Sequence, residues 1–288
     1  MVFTEVLAFI AVSDLHYDYR VPSGEVLPAL RGIDLIIQPG EFVGVAGPNG
    51  SGKSTLARHF NALLLPAAGS VIVDGFNTLD SGQRWDIRQR VAMVFSNPDN
   101  QLVAPVAEED VAFGPGNLGI DPEEIERRVD AALEWVNMKE HRHRLVHHLS
   151  GGQKQRIVIA GALAMLPRYL ILDEPTAMLD ARSRRELLDV VHRLNRERGM
   201  TVILISHYLE ELMETERLVI LAEGQIRWQG TPEDLFRQPE TLTALDLELP
   251  PIMELAQGLR RQGIPVPNET SQVEQLVSFL LQAGEAER

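Results

Sequence analysis

The sequence predicts an α/β protein with a mixed, largely parallel central sheet, a helical subdomain set into it and a small helical module at its C-terminal end. Three observations carry that prediction. Short β-rich runs alternate with helical patterns through most of the 288 residues, which is how strands joined by crossover helices read. Between about residue 96 and residue 166 strand signals become scarce while helical ones persist. After Leu245 the composition shifts, Pro250 and Pro251 break the chain, and two amphipathic patterns follow. At roughly 100–200 residues per domain, the length allows one large domain with an appendage or two small ones.

Taken in order, residues 1–12 are apolar but contain Glu5 and lack a basic leader or a small-residue cleavage pattern. They read as a strand rather than a signal peptide. Residues 41–46, 91–95, 169–172, 201–205 and 217–221 are the clearest strands. Within the strand-poor stretch, residues 121–135 form a helix: Asp121 caps it, Pro122 suits its first turn, and Ile125, Val129, Ala132, Leu133 and Val136 recur on one face. Residues 151–165 supply the next helix. In the tail, Ile252, Leu255, Ala256 and Leu259 line one amphipathic helix, and Val273, Leu276, Val277, Leu280 and Leu281 a second. The longest apolar stretches fall far short of the roughly 18–20 residues a membrane span needs. The formal net charge of −14 argues against nucleic acid and anionic lipid as partners. With no cysteine, disulfide and thiolate chemistry are excluded and a cytoplasmic location fits best.

Gly47-Pro48-Asn49-Gly50-Ser51-Gly52-Lys53-Ser54-Thr55 follows a predicted strand and opens a predicted helix, which is the pattern and the context of a P-loop. Its glycines let consecutive amides point at phosphate oxygens with no side chain in the way. The helix N-terminus adds partial positive charge, Lys53 reaches the β- and γ-phosphates of ATP, and the Ser54 hydroxyl is placed for Mg²⁺. Downstream, Tyr169-Leu-Ile-Leu-Asp173-Glu174 is an apolar strand ending in two carboxylates. In that context Asp173 is the second Mg²⁺ ligand, directly or through water, and Glu174 the general base that polarises the attacking water.

Leu149-Ser150-Gly151-Gly152-Gln153 narrows the class. Ser150 and Gln153 have the spacing of a capping box, but a cap does not require two glycines. Here the chain resembles the ATPase subunits of ABC transporters, whose signature is this five-residue motif. The resemblance implies an ABC-type P-loop fold over residues 1–245, with its helical subdomain at about 96–166, and a C-terminal dimerisation module over 246–288. It also implies that Ser150, Gly151, Gly152 and Gln153 meet the γ-phosphate of an ATP held by a second subunit, so that two chains face head to tail. By the same resemblance Tyr19 stacks on adenine, although it also reads as an ordinary strand tyrosine. Asp180, in Ala177-Met-Leu-Asp180, couples the two sites as the D-loop and doubles as a helix cap, and His207 is the switch histidine that contacts the γ-phosphate and orients the base. One position departs from the pattern: the family's Q-loop glutamine is replaced by Ser96, which is shorter and lacks the amide. Gln101 lies five residues on and already has a counterpart in the family.

Asn97-Pro-Asp-Asn-Gln101, Glu109-Asp-Val-Ala-Phe-Gly114, His147-His148 and Ile159-Ala-Gly-Ala-Leu-Ala-Met165 together resemble the ATPases of energy-coupling factor transporters and their cobalt and nickel relatives. Met178-Leu179 and the tail beginning Leu245-Asp-Leu-Glu-Leu-Pro250 resemble the first of two paralogous ATPases in the vitamin-type systems. The resemblance implies a second ATPase subunit, either a paralogue or a second copy. It further implies a transmembrane coupling protein docked near residues 97–113, a small substrate-capture membrane protein, and a peripheral place on the cytoplasmic face of the membrane. The cargo would be a vitamin or a transition-metal ion. Four of the eight histidines, His141, His143, His147 and His148, cluster in sequence, but adjacent and alternate spacing converges poorly on a metal. They read as surface or signature-supporting residues. Two competing readings are a soluble ABC ATPase acting on DNA or ribosomes, and an assembly subunit that binds ATP but hardly turns it over. Net charge and the absence of coiled coils or a tandem second cassette weigh against the first. Glu174 and His207 weigh against the second.

Overall fold

The continuous apolar runs of the sequence become strands buried on both faces. The computed structural model describes residues 9–286 apart from positions 23, 246, 268, 269, 271 and 272. Residues 1–8, part of the N-terminal segment read as a strand, lie outside that set, and the described strand there begins at Ile10.

An antiparallel pair, β1 (Ile10–Arg20) and β2 (Val26–Ile37), precedes β3 (Phe42–Ala46) and helix α1 (Lys53–Phe60). The hairpin β4 (Ala68–Val73) and β5 (Phe76–Asn77), helix α2 (Arg84–Arg90) and β6 (Val91–Val94) follow. Three helices, α3 (Ala107–Asn117), α4 (Pro122–Trp135) and α5 (Gly151–Ala164), then separate β6 from β7 (Tyr169–Asp173). After α6 (Ala181–Arg198) come β8 (Thr201–Ile205), β9 (Arg217–Ala222) and β10 (Gln225–Gly230). The tail holds α7 (Pro232–Phe236), α8 (Pro239–Ala244), α9 (Pro251–Arg261) and α10 (Val273–Ala286).

The strands form two sheets. One has the order β2-β1-β4-β5 and the other β10-β9-β3-β8-β7-β6. The five strands from β9 to β6 are parallel, and β10 pairs antiparallel at the edge, so the central sheet is mixed. Alternate residues point to opposite faces of a strand. Val43, Val45, Ile203 and Ile205 therefore pack with Leu56 and Phe60 of α1 beneath the antiparallel sheet. Phe42, Ala46, Val202 and Leu204 face the second core, shared with Val111, Leu133, Ile157 and Leu187 from α3 to α6. Burial on both faces explains why these strands lack polar alternation.

Helix ends follow local chemistry. Asp121 accepts a hydrogen bond from the Glu123 amide at the start of α4, and Gly199, at φ 61°, ends α6 in the left-handed conformation that glycine adopts without penalty. The tail corrects one expectation. Ala256 is buried with Val266 and Leu276 in a small separate cluster, but Leu255 points outward and is 53% exposed. Met253 occupies the inward position instead, packed into the main core beside Leu249 and Ile252. The helix has two neighbours, the sheet domain and α10, so a single-stripe reading could not place all of its apolar residues.

Candidate functional site

The parallel strands β3, β7 and β8 end together, and the loops leaving them meet in one cleft. From β3 the chain enters the loop of Gly47, Pro48, Asn49, Gly50, Ser51 and Gly52. Gly47 (φ 144°) and Gly52 (φ 106°) are left-handed, and a Cβ on Gly47 would lie 2.0 Å from the Leu221 carbonyl oxygen. No side chain is compatible with that approach. No side chain caps α1 either, which leaves its first amides for a ligand. The buried Ser51 hydroxyl has no hydrogen-bond partner among the described residues.

Lys53 is buried, and its Nζ donates to the carbonyls of Gly47 (2.8 Å) and Pro48 (3.0 Å). Burial lowers its pKa, while the charges of Glu174 and Asp173 act in the opposite sense. An ammonium held by two carbonyls and paired with no carboxylate among the described residues suits a polyanion. Next in sequence, the Ser54 hydroxyl donates to Asp173 Oδ1 at 2.9 Å, joining the first turn of α1 to the end of β7 across 119 positions. Burial raises the Asp173 pKa, and the Ser54 hydrogen bond opposes the shift. A hydroxyl and a carboxylate at this separation are hard oxygen donors of the kind Mg²⁺ takes. Thr55 is buried, and its hydroxyl lies 3.1 Å from the Tyr19 hydroxyl on β1. That contact places Tyr19 beside the start of α1, with the Tyr17 ring edge-on to it at 5.0 Å.

Glu174 follows Asp173 with φ 51°, an uncommon conformation for a side-chain-bearing residue, and its amide donates to the Ile205 carbonyl at 3.0 Å. This turn aims its carboxylate toward the loop leaving β8. There the His207 Nδ1 lies 3.7 Å from Glu174 Oε2. Ser96 faces the same cleft, a 490 Å³ space also bounded by Ser54, Arg58, Asn100, Asp173 and Glu174. The amide of Gln101 is engaged elsewhere: its Oε1 accepts from the Phe95 amide (3.0 Å), and its Nε2 donates to the Phe95 (3.1 Å) and Asn97 (3.2 Å) carbonyls. Gln155 adds a bond to the same Phe95 carbonyl at 3.0 Å. These two glutamines fix the backbone around Ser96, a role that sequence spacing alone did not disclose. Arg58 was also missed. Its only sequence signal is that it follows Ser54 by four residues on α1, which places both on one helical face.

The Ser150 to Gln153 segment lies outside that cleft. Ser150 Oγ accepts from the Gln153 amide (3.3 Å) and the Gln153 Oε1 from the Ser150 amide (3.0 Å), a reciprocal cap on α5. The second of the two glycines between them has a further reason: a Cβ on Gly152 would lie 2.7 Å from the Ser183 Cβ. Ser183 in turn belongs to the cap of α6. Asp180 accepts from the amides of Arg182 and Ser183, both at 3.0 Å, and from the Ser183 hydroxyl at 2.8 Å. Those hydrogen bonds, Ser183 first, hold the Asp180 carboxyl below its usual range. The signature turn and the Asp180 turn are thus neighbours on an open face. The clustered histidines have separate surroundings: His143 meets Glu108 at 2.7 Å, His141 meets Gln153 at 3.0 Å, and the rings of His147 and His148 pack edge to face at 4.2 Å.

A P-loop on a parallel strand, a Ser54–Asp173 pair at its helix, a carboxylate and histidine at the next two strand ends, and a Gly-Gly turn on an inserted helix together define an ABC-type nucleotide hydrolase. The ABC transporter family model matches residues 30–177. Over 254 residues the chain is 56% identical to the energy-coupling factor transporter ATP-binding protein EcfA1 of Symbiobacterium thermophilum, covering 88% of each. Among solved structures, CbiO1 of Clostridium perfringens, described as part of the ABC transporter complex CbiONQ, superposes with a TM-score of 0.74 at 35% identity over 86% of this chain and 98% of that one. The dimeric ATP-binding cassette MJ0796, bound to ADP and phosphate after hydrolysis, superposes with a TM-score of 0.69 at 29% identity, covering 77% and 98%. The chain belongs to the ABC transporter family, in the branch of energy-coupling factor transporter ATP-binding subunits. It is an ATPase that powers import, and these relatives do not favour a role on DNA or ribosomes.

Proposed function

We propose that ATP binds with its phosphates on the amides of residues 47–55 and with Lys53 at the β- and γ-phosphates, while Tyr19 stacks on the adenine. Ser54 and Asp173 hold Mg²⁺, which when bound neutralises charge developing on the phosphate oxygens. Glu174 accepts a proton from the attacking water, and His207 orients that carboxylate and contacts the γ-phosphate. Ser150, Gly151, Gly152 and Gln153 complete the site of a second ATPase subunit, a paralogue or another copy, which faces this one head to tail. Asp180 couples the two sites.

The observation that carries this reading is the meeting of Ser54, Asp173, Glu174 and His207 at three strand ends, linked by contacts of 2.9 and 3.7 Å. That the signature turn lies on an open face beside Asp180, away from the chain's own cleft, favours its use in trans. Closure of such a dimer on ATP and its opening after hydrolysis would move whatever is docked to it.

The docked partner is a transmembrane coupling protein, which associates in turn with a small substrate-capture membrane protein. The chain lies peripherally on the cytoplasmic face. No helix among the described residues is long and apolar enough to cross a membrane. Support for the docking place comes from a 340 Å³ groove lined by Leu63, Met93, Val103 and Phe113, of which Val103 is 61% and Phe113 53% exposed. The cargo is a vitamin or a transition-metal ion, selected by the capture protein. In the C-terminal module, residues 246–288, the outward row of Val273, Val277, Leu280 and Leu281 supports a dimerisation role. Affinity purification of the chain from native membranes, with every associated polypeptide identified, tests the assembly. Recovery of a second ATPase subunit and a multi-span membrane protein is expected, and recovery of the chain without either refutes it.

A further inference from the structure

Glu211 lies in the short helical turn Leu209–Leu212, outside every motif considered above, and it is 3% exposed. A carboxylate buried to that degree needs partners. Its Oε2 accepts two hydroxyl hydrogen bonds, from Thr176 Oγ1 at 2.8 Å and from Ser206 Oγ at 2.7 Å. Arg184 of α6 lies on the other side, with Nε 3.4 Å from Oε1. This is an ion-pair contact, and neither atom has a hydrogen-bond partner among the described residues.

The identity of the two donors gives the arrangement its meaning. Thr176 stands two residues after Glu174, and Ser206 stands immediately before His207. The Ser206 hydroxyl also accepts from the Tyr208 amide at 3.0 Å, so one oxygen fixes the chain on both sides of His207. The centroid of the Tyr208 ring lies 3.9 Å from that of His207, and the Arg184 guanidinium lies over the Tyr208 ring, 4.4 Å from its centroid. One buried oxygen therefore joins the turn that carries Glu174 to the turn that carries His207. Arg184 extends the link into α6, the helix that Asp180 caps.

We propose that Glu211 is a positioning residue for hydrolysis: it holds the Glu174 and His207 loops in register and relays displacement of the Asp180 turn to them through Thr176 and Arg184. The proposal rests on the reading of Glu174 and His207 as the catalytic pair. Glu211 touches neither ATP nor water in this scheme. Its effect is on the separation of two groups whose side chains are 3.7 Å apart, and a misplacement of about 1 Å in such a pair costs on the order of 10²-fold in rate.

The test uses the membrane complex carrying Thr176→Val, Ser206→Ala, both together, Glu211→Gln or Glu211→Ala. Each is assayed for kcat and KM of ATP hydrolysis, for nucleotide affinity and for melting temperature. Thr176→Val and Ser206→Ala each remove one leg of the link, and each should lower kcat about 10–100-fold while nucleotide affinity stays within about threefold. Because both hydroxyls serve one oxygen, the double variant should fall well short of the product of the two single effects. Glu211→Gln can keep both hydroxyl bonds through its carbonyl oxygen and should recover most of the turnover lost in Glu211→Ala. Should Glu211→Ala fail to fold, the Thr176 and Ser206 variants decide. Wild-type kcat in both single variants overturns the proposal, as does a parallel fall of kcat, nucleotide affinity and melting temperature, which would mark a structural role only. Glu174→Gln run beside them separates the failures: normal turnover there removes the catalytic pair itself, whereas its loss beside full activity in Thr176→Val and Ser206→Ala removes only the role of Glu211.

Discussion

Replacing Glu174 by glutamine separates the chemistry of the site from its binding. The change is isosteric, and the features that place the residue are backbone ones: the positive φ of 51° and the amide bond to the Ile205 carbonyl. Neither depends on the carboxylate. The loop, the Ser54–Asp173 contact and the P-loop amides should therefore persist, and ATP should bind with affinity within a few-fold of the native chain. What disappears is the proton acceptor and the negative charge facing His207. A positioned general base contributes about 10²–10⁴ in rate, which at about 1.36 kcal/mol per tenfold is about 2.7–5.4 kcal/mol of barrier. A second consequence follows from charge. Glu174 raises the Lys53 pKa against the lowering effect of burial, so its neutralisation leaves the ammonium with less support and moves that pKa further down. Phosphate release by the purified complex, set beside equilibrium binding of a fluorescent ATP analogue, reads both quantities. Turnover near the native rate would refute the assignment of Glu174 as base, and loss of binding in step with turnover would show that the residue holds nucleotide instead.

Three further outcomes are expected. Ser96→Gln fills part of the 490 Å³ cleft with an amide that Gln101 does not supply, and turnover of the assembled complex should rise several-fold; unchanged hydrolysis and transport would mean that the serine is no handicap. Asp173→Asn removes a carboxylate whose folded-state pKa is raised mainly by burial. Such a group favours the fold only at low pH and costs stability as pH rises through its folded value, so the variant should melt higher than the native chain at neutral pH in Mg²⁺-free buffer. That advantage should shrink below the ordinary carboxylate range, while Mg²⁺-dependent hydrolysis is lost; a lower melting temperature at neutral pH would contradict the burial argument. Removal of residues 263–288 deletes α10 but keeps Met253 in the main core. It should weaken dimerisation at least about tenfold, since burying even one of the exposed apolar side chains is worth about 1.5–3 kcal/mol, and analytical ultracentrifugation showing native dimer affinity would count against the module's role.

The parts of the site that were legible in the sequence are those whose chemistry is contiguous. Nine successive residues build the P-loop, because amides must converge on one anion, and the spacing of its glycines is fixed by the backbone conformation each must adopt. The central strands were legible because burial on both faces leaves them apolar throughout. The antiparallel sheet was less so: β2 contains Pro28, and its register against β1 shifts three times, which blurs the period-2 signal. In α9 the apolar residues serve two neighbours, so the stripe that includes Leu255 pointed to a burial that Met253 takes instead.

What remained hidden is the layer that ties separate motifs together. Gln101 and Gln155 both bind Phe95, yet they are 54 positions apart, and nothing in either neighbourhood marks an amide that will be spent on a distant backbone. Glu210 and Glu211 are adjacent and chemically identical, but one is exposed and the other is buried beneath two hydroxyls from different loops. The difference arises from which side of a single helical turn faces the cleft, and that is decided by the packing of Leu209 and Leu212 into the core rather than by the glutamates. A motif can therefore name the residues proposed to meet ATP, because a P-loop turns its amides toward phosphate through one short run of backbone. The residues that hold those motifs in register answer to the packing of this chain alone, and their presence shows only once the strands that separate them in sequence lie side by side.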